Sequence, residues 1–303
     1  MVKFAISIES VVMRSLFKTI ALVARNQTPA IGEPLRRLAA LLATLGVHVL
    51  IDEAAAEEHG VGEHATVARE DIGKLADLVM VLGGDGTMLG VARLLAPYRI
   101  PLIGINQGRL GFMTDIPLGD MERLVTDMLG GAFVPEERIL LETTVCHDGV
   151  NSGPYLAFND VVFSRGSTGA MIEFEIFIDG QFVYSQRSDG LIVSTPTGST
   201  AYALASGGPI LHPSLPALAL VPICPQSLSN RPIVVNDNSQ IEFLLTRSAD
   251  TQVYFDNQSH CELKEMDRVL IRRYRNTLRI LHPVGYNYYD MLRAKLHWGQ
   301  KLL

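Results

Sequence analysis

Lysine is scarce in this chain of 303 residues, and its placement is uneven. Lys3, Lys18, Lys74, Lys264, Lys295 and Lys301 are its six lysines, so none lies between Lys74 and Lys264. Phosphate chemistry in that long middle must use arginine, backbone N–H groups or a metal. The P-loop pattern GxxxxGK[ST] is absent, which excludes a P-loop enzyme. Cysteine is rarer still: Cys146, Cys224 and Cys261 are odd in number, far apart and without a CxxC pair. That argues against a disulfide scaffold and a zinc site, and suits thiols in a reducing cytoplasm. No apolar run reaches about 18 residues, so no membrane-spanning helix is expected. Residues 1–17 carry Lys3, Glu9 and Arg14 and no clear small-residue cleavage site, and read as a loosely attached extension rather than a signal peptide. Positive charge is not in excess either. The net charge of −6 lacks the counterion-releasing surface that nucleic-acid binding requires.

What is present is a globular composition, 48% hydrophobic and 19% charged, long enough for about two domains at roughly 150 residues each. From Lys18 onward strands and helices alternate. Thr19–Ala24 suits a buried strand, and Pro34 to Gly46 suits a helix with Leu35, Leu38, Leu41, Leu42 and Leu45 on one face. Strands follow at Val47–Asp52, Leu78–Leu82 and Leu102–Ile105, with a helix over Thr87–Leu95. This spacing predicts an α/β domain with a Rossmann-like parallel sheet, residues 18–140. Beyond it the pattern changes to period two. Met171 to Ile178, the pair Asp179-Gly180 and the run from Gln181 to Ser185 predict a hairpin. Further runs at Tyr155–Phe163, Ile241–Leu245, Gln252–Phe255, Arg268–Arg272 and Thr277–Leu281 predict a mostly antiparallel β domain, residues 141–283. The tail, 284–303, turns helical again and is expected to return to the first domain.

Four blocks carry candidate chemistry. In the first, an apolar strand enters Gly83-Gly84-Asp85-Gly86-Thr87 and a helix starts at once. Glycines at a strand's carboxyl end let backbone approach a ligand, and the helix start offers unpaired N–H groups. Asp85 there either caps the helix, or accepts a proton from an attacking hydroxyl or helps to hold a metal, and the capping and catalytic roles are compatible. The dinucleotide fingerprint GxGxxG fails because Leu89 stands where glycine is needed. The second block, Asn106-Gln107-Gly108-Arg109-Leu110-Gly111-Phe112, is either a plain turn or a second phosphate-facing turn with an arginine. The third, Asn159-Asp160, places two polar residues in an apolar run, where they fix a bulge or meet a polar ligand. The fourth is the densest: Arg187, Asp189-Gly190, then Ser194-Thr195-Pro196-Thr197-Gly198-Ser199-Thr200-Ala201-Tyr202, then Ala203-Leu204-Ala205 as one short helix before Gly207-Gly208-Pro209. Its hydroxyls suit sugars, amides or phosphates, and Tyr202 could stack on a base. A hydroxyl-rich surface loop is the alternative.

Taken together, and in this order and spacing, the four blocks resemble the NAD kinase family. The likeness runs on through Leu228-Ser229, Arg231-Pro232 and Asp256-Asn257-Gln258 to Lys295-Leu296 and Trp298, covering about residues 18–303. The resemblance implies transfer of a phosphoryl group from ATP, with a divalent cation (Mg or Mn), to the adenosine 2′-hydroxyl of NAD, giving NADP. It implies Asp85 as the catalytic base. Asp85, Gly86, Asn159, Asp160, Arg187, Asp189, Thr200, Ala201, Tyr202, Ala203, Leu204, Ala205 and Gln258 would bind NAD. Gly83, Gly84, Thr87, Asn106, Gly108 and Arg109 would form the phosphate loop. It also implies a homodimer or homotetramer. Two departures stand out: the family's usual Asn-Glu is Asn159-Asp160, and a histidine common before Leu-Ser-x-Arg-Pro is replaced by Gln226-Ser227. A lipid kinase sharing Gly-Gly-Asp-Gly, a non-catalytic dinucleotide sensor and a nicotinamide oxidoreductase are the rival readings; the first leaves the Thr-Gly-Ser-Thr-Ala-Tyr block unexplained.

Overall fold

The run TIALVA forms strand β1 (Thr19–Ala24), buried from its second residue on. Our computed structural model of the protein describes residues 15–25, 28–108, 111–166, 169–227, 229–247 and 250–298. Helix α1 (Gly32–Thr44) starts two residues before Pro34, which sits in the first turn, where an N–H has no intrahelical acceptor. Its Leu35, Leu38 and Leu42 are buried. Then come β2 (His48–Asp52), α2 (Glu53–His59), β3 (Ala65–Val67), α3 (Ile72–Leu75), β4 (Leu78–Gly83), α4 (Asp85–Leu95) and β5 (Leu102–Asn106). A short β6 (Ile116–Pro117), α5 (Met121–Leu129) and β7 (Phe133–Arg138) follow. The strands β1 to β5 pair in parallel in the order β3-β2-β1-β4-β5. That order reverses direction between β1 and β4, and the crevice at their carboxyl ends is where open α/β sheets bind ligands.

A second series is almost wholly extended: β8 (Leu141–His147), β9 (Val150–Ala157), β10 (Asp160–Arg165), β11 (Ile172–Ile178), β12 (Gln181–Ser188) and β13 (Gly190–Ser194). After the four-residue helix α6 (Tyr202–Ala205) come β14 (Ala217–Ile223), β15 (Ile233–Asn236), β16 (Ile241–Arg247), β17 (Thr251–Phe255), β18 (Ser259–Leu263) and β19 (Arg268–Arg273). They build two six-stranded antiparallel sheets, β15-β14-β13-β10-β17-β18 and β12-β11-β16-β19-β8-β9. One apolar core lies between the two sheets. Phe163 of β10 stacks on Phe243 of β16 at 3.7 Å between centroids, and Phe174 packs on the same ring at 4.7 Å. Because strand side chains alternate, Val162 faces the other way. It joins Ile192, Ala203, Leu211, Ala219 and Val221 in a second, smaller apolar cluster.

The structure corrects two strand expectations. The single run Tyr155–Phe163 is broken at Phe158–Asn159, because β9 and β10 belong to different sheets. The run Thr277–Leu281 forms β20 (Leu278–Pro283), which stands between β5 and β7 in the first, eight-stranded sheet and not in the antiparallel ones. The hairpin β11–β12 turns at Asp179 and Gly180, both at positive φ (52° and 77°), the conformation an Asp-Gly turn supplies. The tail forms α7 (Tyr288–Leu296), capped by the Asn287 side chain, which accepts from the Tyr289 amide. By internal contacts the chain falls into two compact units: Met1–Thr87, Pro101–Pro135 and Leu281–Leu303 in one, Met88–Ile100 and Glu136–Ile280 in the other. The tail thus returns to the α/β unit.

Candidate functional site

Strand β4 delivers Gly83 and Gly84 to the carboxyl edge of the parallel sheet, and β5 delivers Asn106, Gln107 and Gly108 beside them. With Arg25, just past β1, these residues line a depression of about 210 Å³. Gly83 is required there, since an added Cβ would press on Thr87 and Arg25. Asp85 is the first residue of α4, and its carboxylate meets the turn 112–114. Oδ2 accepts from the Phe112 amide (2.9 Å), and Oδ1 accepts from the Met113 amide (3.0 Å) and more weakly from the Thr114 hydroxyl (3.4 Å). Asn106 Nδ2 donates to the same hydroxyl at 2.9 Å. The turn passes so close that a side chain at Gly111 would overlap Asp85 and Thr114. Asp85 is thus held by a neighbouring turn. Arg109 lies outside the described residues.

The antiparallel unit carries a cavity of about 440 Å³ lined by Asn159, Asp160, Val162, Ser164, Ala201, Tyr202, Tyr254, Asp256 and Asn257. Its architecture hangs on Asp256, whose side chain is fully buried. Asp256 and Asn257 take positive φ (51° and 53°) in the β17–β18 turn. That turn aims the Asp256 carboxylate at the break before β10, where it accepts the amides of Phe158, Asn159 and Asp160 at 2.7–3.2 Å. Arg93, from the last turn of α4, pairs with its Oδ2 at 2.8 Å and with Gln258 at 2.6 Å. Burial, and then the negative charge of Asp256, pushes the Asp160 carboxyl up to about 7. Asn159 Oδ1 is buried without a hydrogen-bond partner among the described residues, which suits a ligand donor. Tyr202 is about half exposed at the rim.

Asp189 and Tyr202 border an adjoining hollow of about 380 Å³, where Arg165 pairs with Asp189 at 3.0 Å. Thr200 closes the tight turn Gly198–Thr200 ahead of α6. Ala203, Leu204 and Ala205 form α6, with Ala203 in the smaller apolar cluster. Gly86 and Thr87 sit in the first turn of α4. Arg187 is placed elsewhere: it is exposed, near Glu173 at 3.7 Å, and lines a separate hollow with Gln226, Ser229 and Asn230. Sequence reasoning gave no site role to Arg25, Arg93, Tyr254 or Asp256. Arg25 was findable as the first residue after β1 at the point where strand order reverses. Asp256 stood in the Asp256-Asn257-Gln258 likeness without a role, and Arg93 carried no local signal, because their meaning lies in a contact across 163 residues. Among the described residues no three His, Cys, Asp or Glu side chains gather where they could hold a metal ion.

Comparison with known proteins agrees with this architecture. Residues 20–133 match the ATP-NAD kinase N-terminal domain, and residues 158–282 match the ATP-NAD kinase C-terminal domain. A protein of Chromobacterium violaceum named NAD kinase is 67% identical over 96% of this chain and all of its own length. One of Laribacter hongkongensis with the same name is 63% identical with the same coverage. The crystal structure of yeast NADH kinase complexed with NADH superposes with a TM-score of 0.87 at 25% identity, covering 94% of this chain and 89% of that one. The chain belongs to the NAD kinase family.

Proposed function

We propose that the protein transfers the γ-phosphoryl group of ATP to the 2′-hydroxyl of the adenosine ribose of NAD, with Asp85 as the general base. The observation that carries this reading is the Asp85 carboxylate, fixed by three donors beside the glycine loop at the sheet's reversal point. A fixed carboxylate is pre-organised to take a proton as the oxygen–phosphorus bond forms. A cavity of about 440 Å³ with Asn159 Oδ1 as an acceptor and Tyr202 at its rim supports an adenosine bound there, its base against Tyr202. Phosphoryl transfer places charge on non-bridging oxygens, which amides and arginine can meet. Gly83, Gly84, Gly108 and Arg25 supply those groups in a stretch of sequence without lysine.

The reading takes the divalent cation as part of the donor substrate, entering as its complex with ATP, and assigns no step to a protein-held ion. The relatives' names and the NADH in the yeast structure support a dinucleotide acceptor. The cytoplasmic setting and homo-oligomeric assembly implied by the family are part of the same proposal. Incubation of the purified protein with NAD, ATP and Mg²⁺ should yield NADP, detected by an NADP-specific dehydrogenase. NAD binding without product would favour the sensor reading instead.

A further inference from the structure

The turn that grips Asp85 is itself anchored by a pair of residues buried behind it. Asp115 follows Thr114 directly, and its Oδ2 meets Nδ1 of His282 at 3.0 Å. The side chains are 4% and 0% exposed. His282 comes from β20, and its ring is stacked face to face on Tyr286 in the segment leading to α7, at 3.8 Å and 8°. A carboxylate only accepts, so Nδ1 carries the proton of this bond. The other Asp115 oxygen, Oδ1, is buried with no hydrogen-bond partner among the described residues. A buried hydrogen-bonded pair with one unsatisfied oxygen is a poor device for stability and a good one for fixing geometry.

We propose that His282 and Asp115 are positioning residues for Asp85. The pair pins residues 111–115 from behind, and the pinned turn sets the carboxylate through the Phe112 and Met113 amides and the Thr114 hydroxyl. Asn106 holds the same hydroxyl from the end of β5, a second anchor at the Thr114–Asp115 side of the turn. Van der Waals room is absent at Gly111, so a small displacement of the turn is passed to Asp85 and not absorbed. The role rests on the reading of Asp85 as the base, and neither His282 nor Asp115 touches substrate in it.

Steady-state kinetics of the full-length chain separate the possibilities. His282→Ala should lower kcat about 10- to 100-fold, as sub-ångström misplacement of a reacting group does, while KM for NAD and for ATP stays within about three-fold. His282→Asn should restore most of the rate. Its amide can reach the Nδ1 position, and it loses the Tyr286 stacking just as alanine does, so the difference between the two variants isolates the hydrogen bond. Wild-type kcat in His282→Ala, or equal loss in both variants, would overturn the proposal. If His282→Ala does not fold, Thr114→Val reads the same chain one link nearer the base: lowered kcat with unchanged KM supports it, and wild-type kcat overturns it. Asp85→Asn is assayed alongside. An active Asp85→Asn defeats the base reading and the positioning role with it; an inactive one beside a fully active His282→Ala defeats the positioning role alone.

Discussion

Two carboxylates divide the candidate chemistry, and their surroundings separate them. Asp85 is gripped by donors in a fixed orientation. Asp85→Asn keeps the shape and removes the proton acceptor, so turnover should fall at least about 10³-fold with NAD affinity by calorimetry nearly unchanged. A variant within tenfold of the wild-type rate would show that the base lies elsewhere. Asp160 is gripped by burial. Its carboxyl is pushed from near 3.8 to about 7 by desolvation and by Asp256, so between those values the folded ligand-free state holds a proton that the unfolded chain has released. The stability this lends is complete below about pH 4, is lost as pH rises to about 7, and is level above that, with an upper bound of about 4 kcal/mol. Asp160→Asn does not titrate. The stability of wild type minus that of the variant, from urea unfolding, should therefore fall across pH 4–7; parallel curves would contradict it. That Asp160 is a candidate site residue was legible from Asn-Asp set in an apolar run. Its companion Asp256, 96 residues further on, was not assigned a role, because proximity across a fold leaves no mark on local pattern.

At the scale of elements, the Asn159–Asp160 break and the Thr195–Thr200 turn work as one piece. The Thr195 hydroxyl donates to the carbonyl of Phe158 at 2.7 Å, the Thr195 amide donates to that of Asn159 at 2.9 Å, and the Gly198 amide donates to the Thr195 hydroxyl at 3.1 Å. The composition of this block marked it as functional, and the structure explains its many hydroxyls differently from a sugar-facing surface. Ser194, Thr195 and Ser199 are buried and bonded to backbone, and they hold the neighbouring loop in place. Gly198 lies directly against Asn159, where a Cβ would overlap that residue's backbone. Backbone yields less readily than a side chain end. Gly198→Ala should thus shift Asn159 and raise KM for NAD at least about tenfold, with stability down by about 1–3 kcal/mol. Unchanged KM in a folded Gly198→Ala would mean that the Asn159 loop does not bind the dinucleotide. The run Tyr155–Phe163 is broken at the same point, where the chain passes from one sheet to the other. The apolar pattern persists across the break because both strands are buried, and only the change of sheet shows where one ends.

At the scale of the molecule, the alternation of strands and helices and the later period-two runs made the two kinds of sheet legible from sequence. Chain order did not reveal that β20 returns to the parallel sheet, or that residues 88–100 count with the antiparallel unit. A short apolar strand fits either sheet, and α4 looks like an ordinary crossover helix. The consequence is chemical, because residues 88–100 bring Arg93 to Asp256. The residues of the main core between the antiparallel sheets all fall between Leu141 and Ile271. A fragment spanning residues 136–280 should therefore fold with a β-type circular dichroism spectrum. In it, Asp256 keeps its three amide donors but loses its cation, leaving a buried charge uncompensated. Asp256→Asn should then act with opposite sign in the two contexts. In the full chain it strands Arg93 and lowers stability by about 3 kcal/mol; in the fragment it removes the stranded charge and raises stability. Urea unfolding of the four proteins reads this directly. The same sign in both would show that Arg93 does not balance Asp256, and that the amides of residues 158–160 hold that carboxylate unaided.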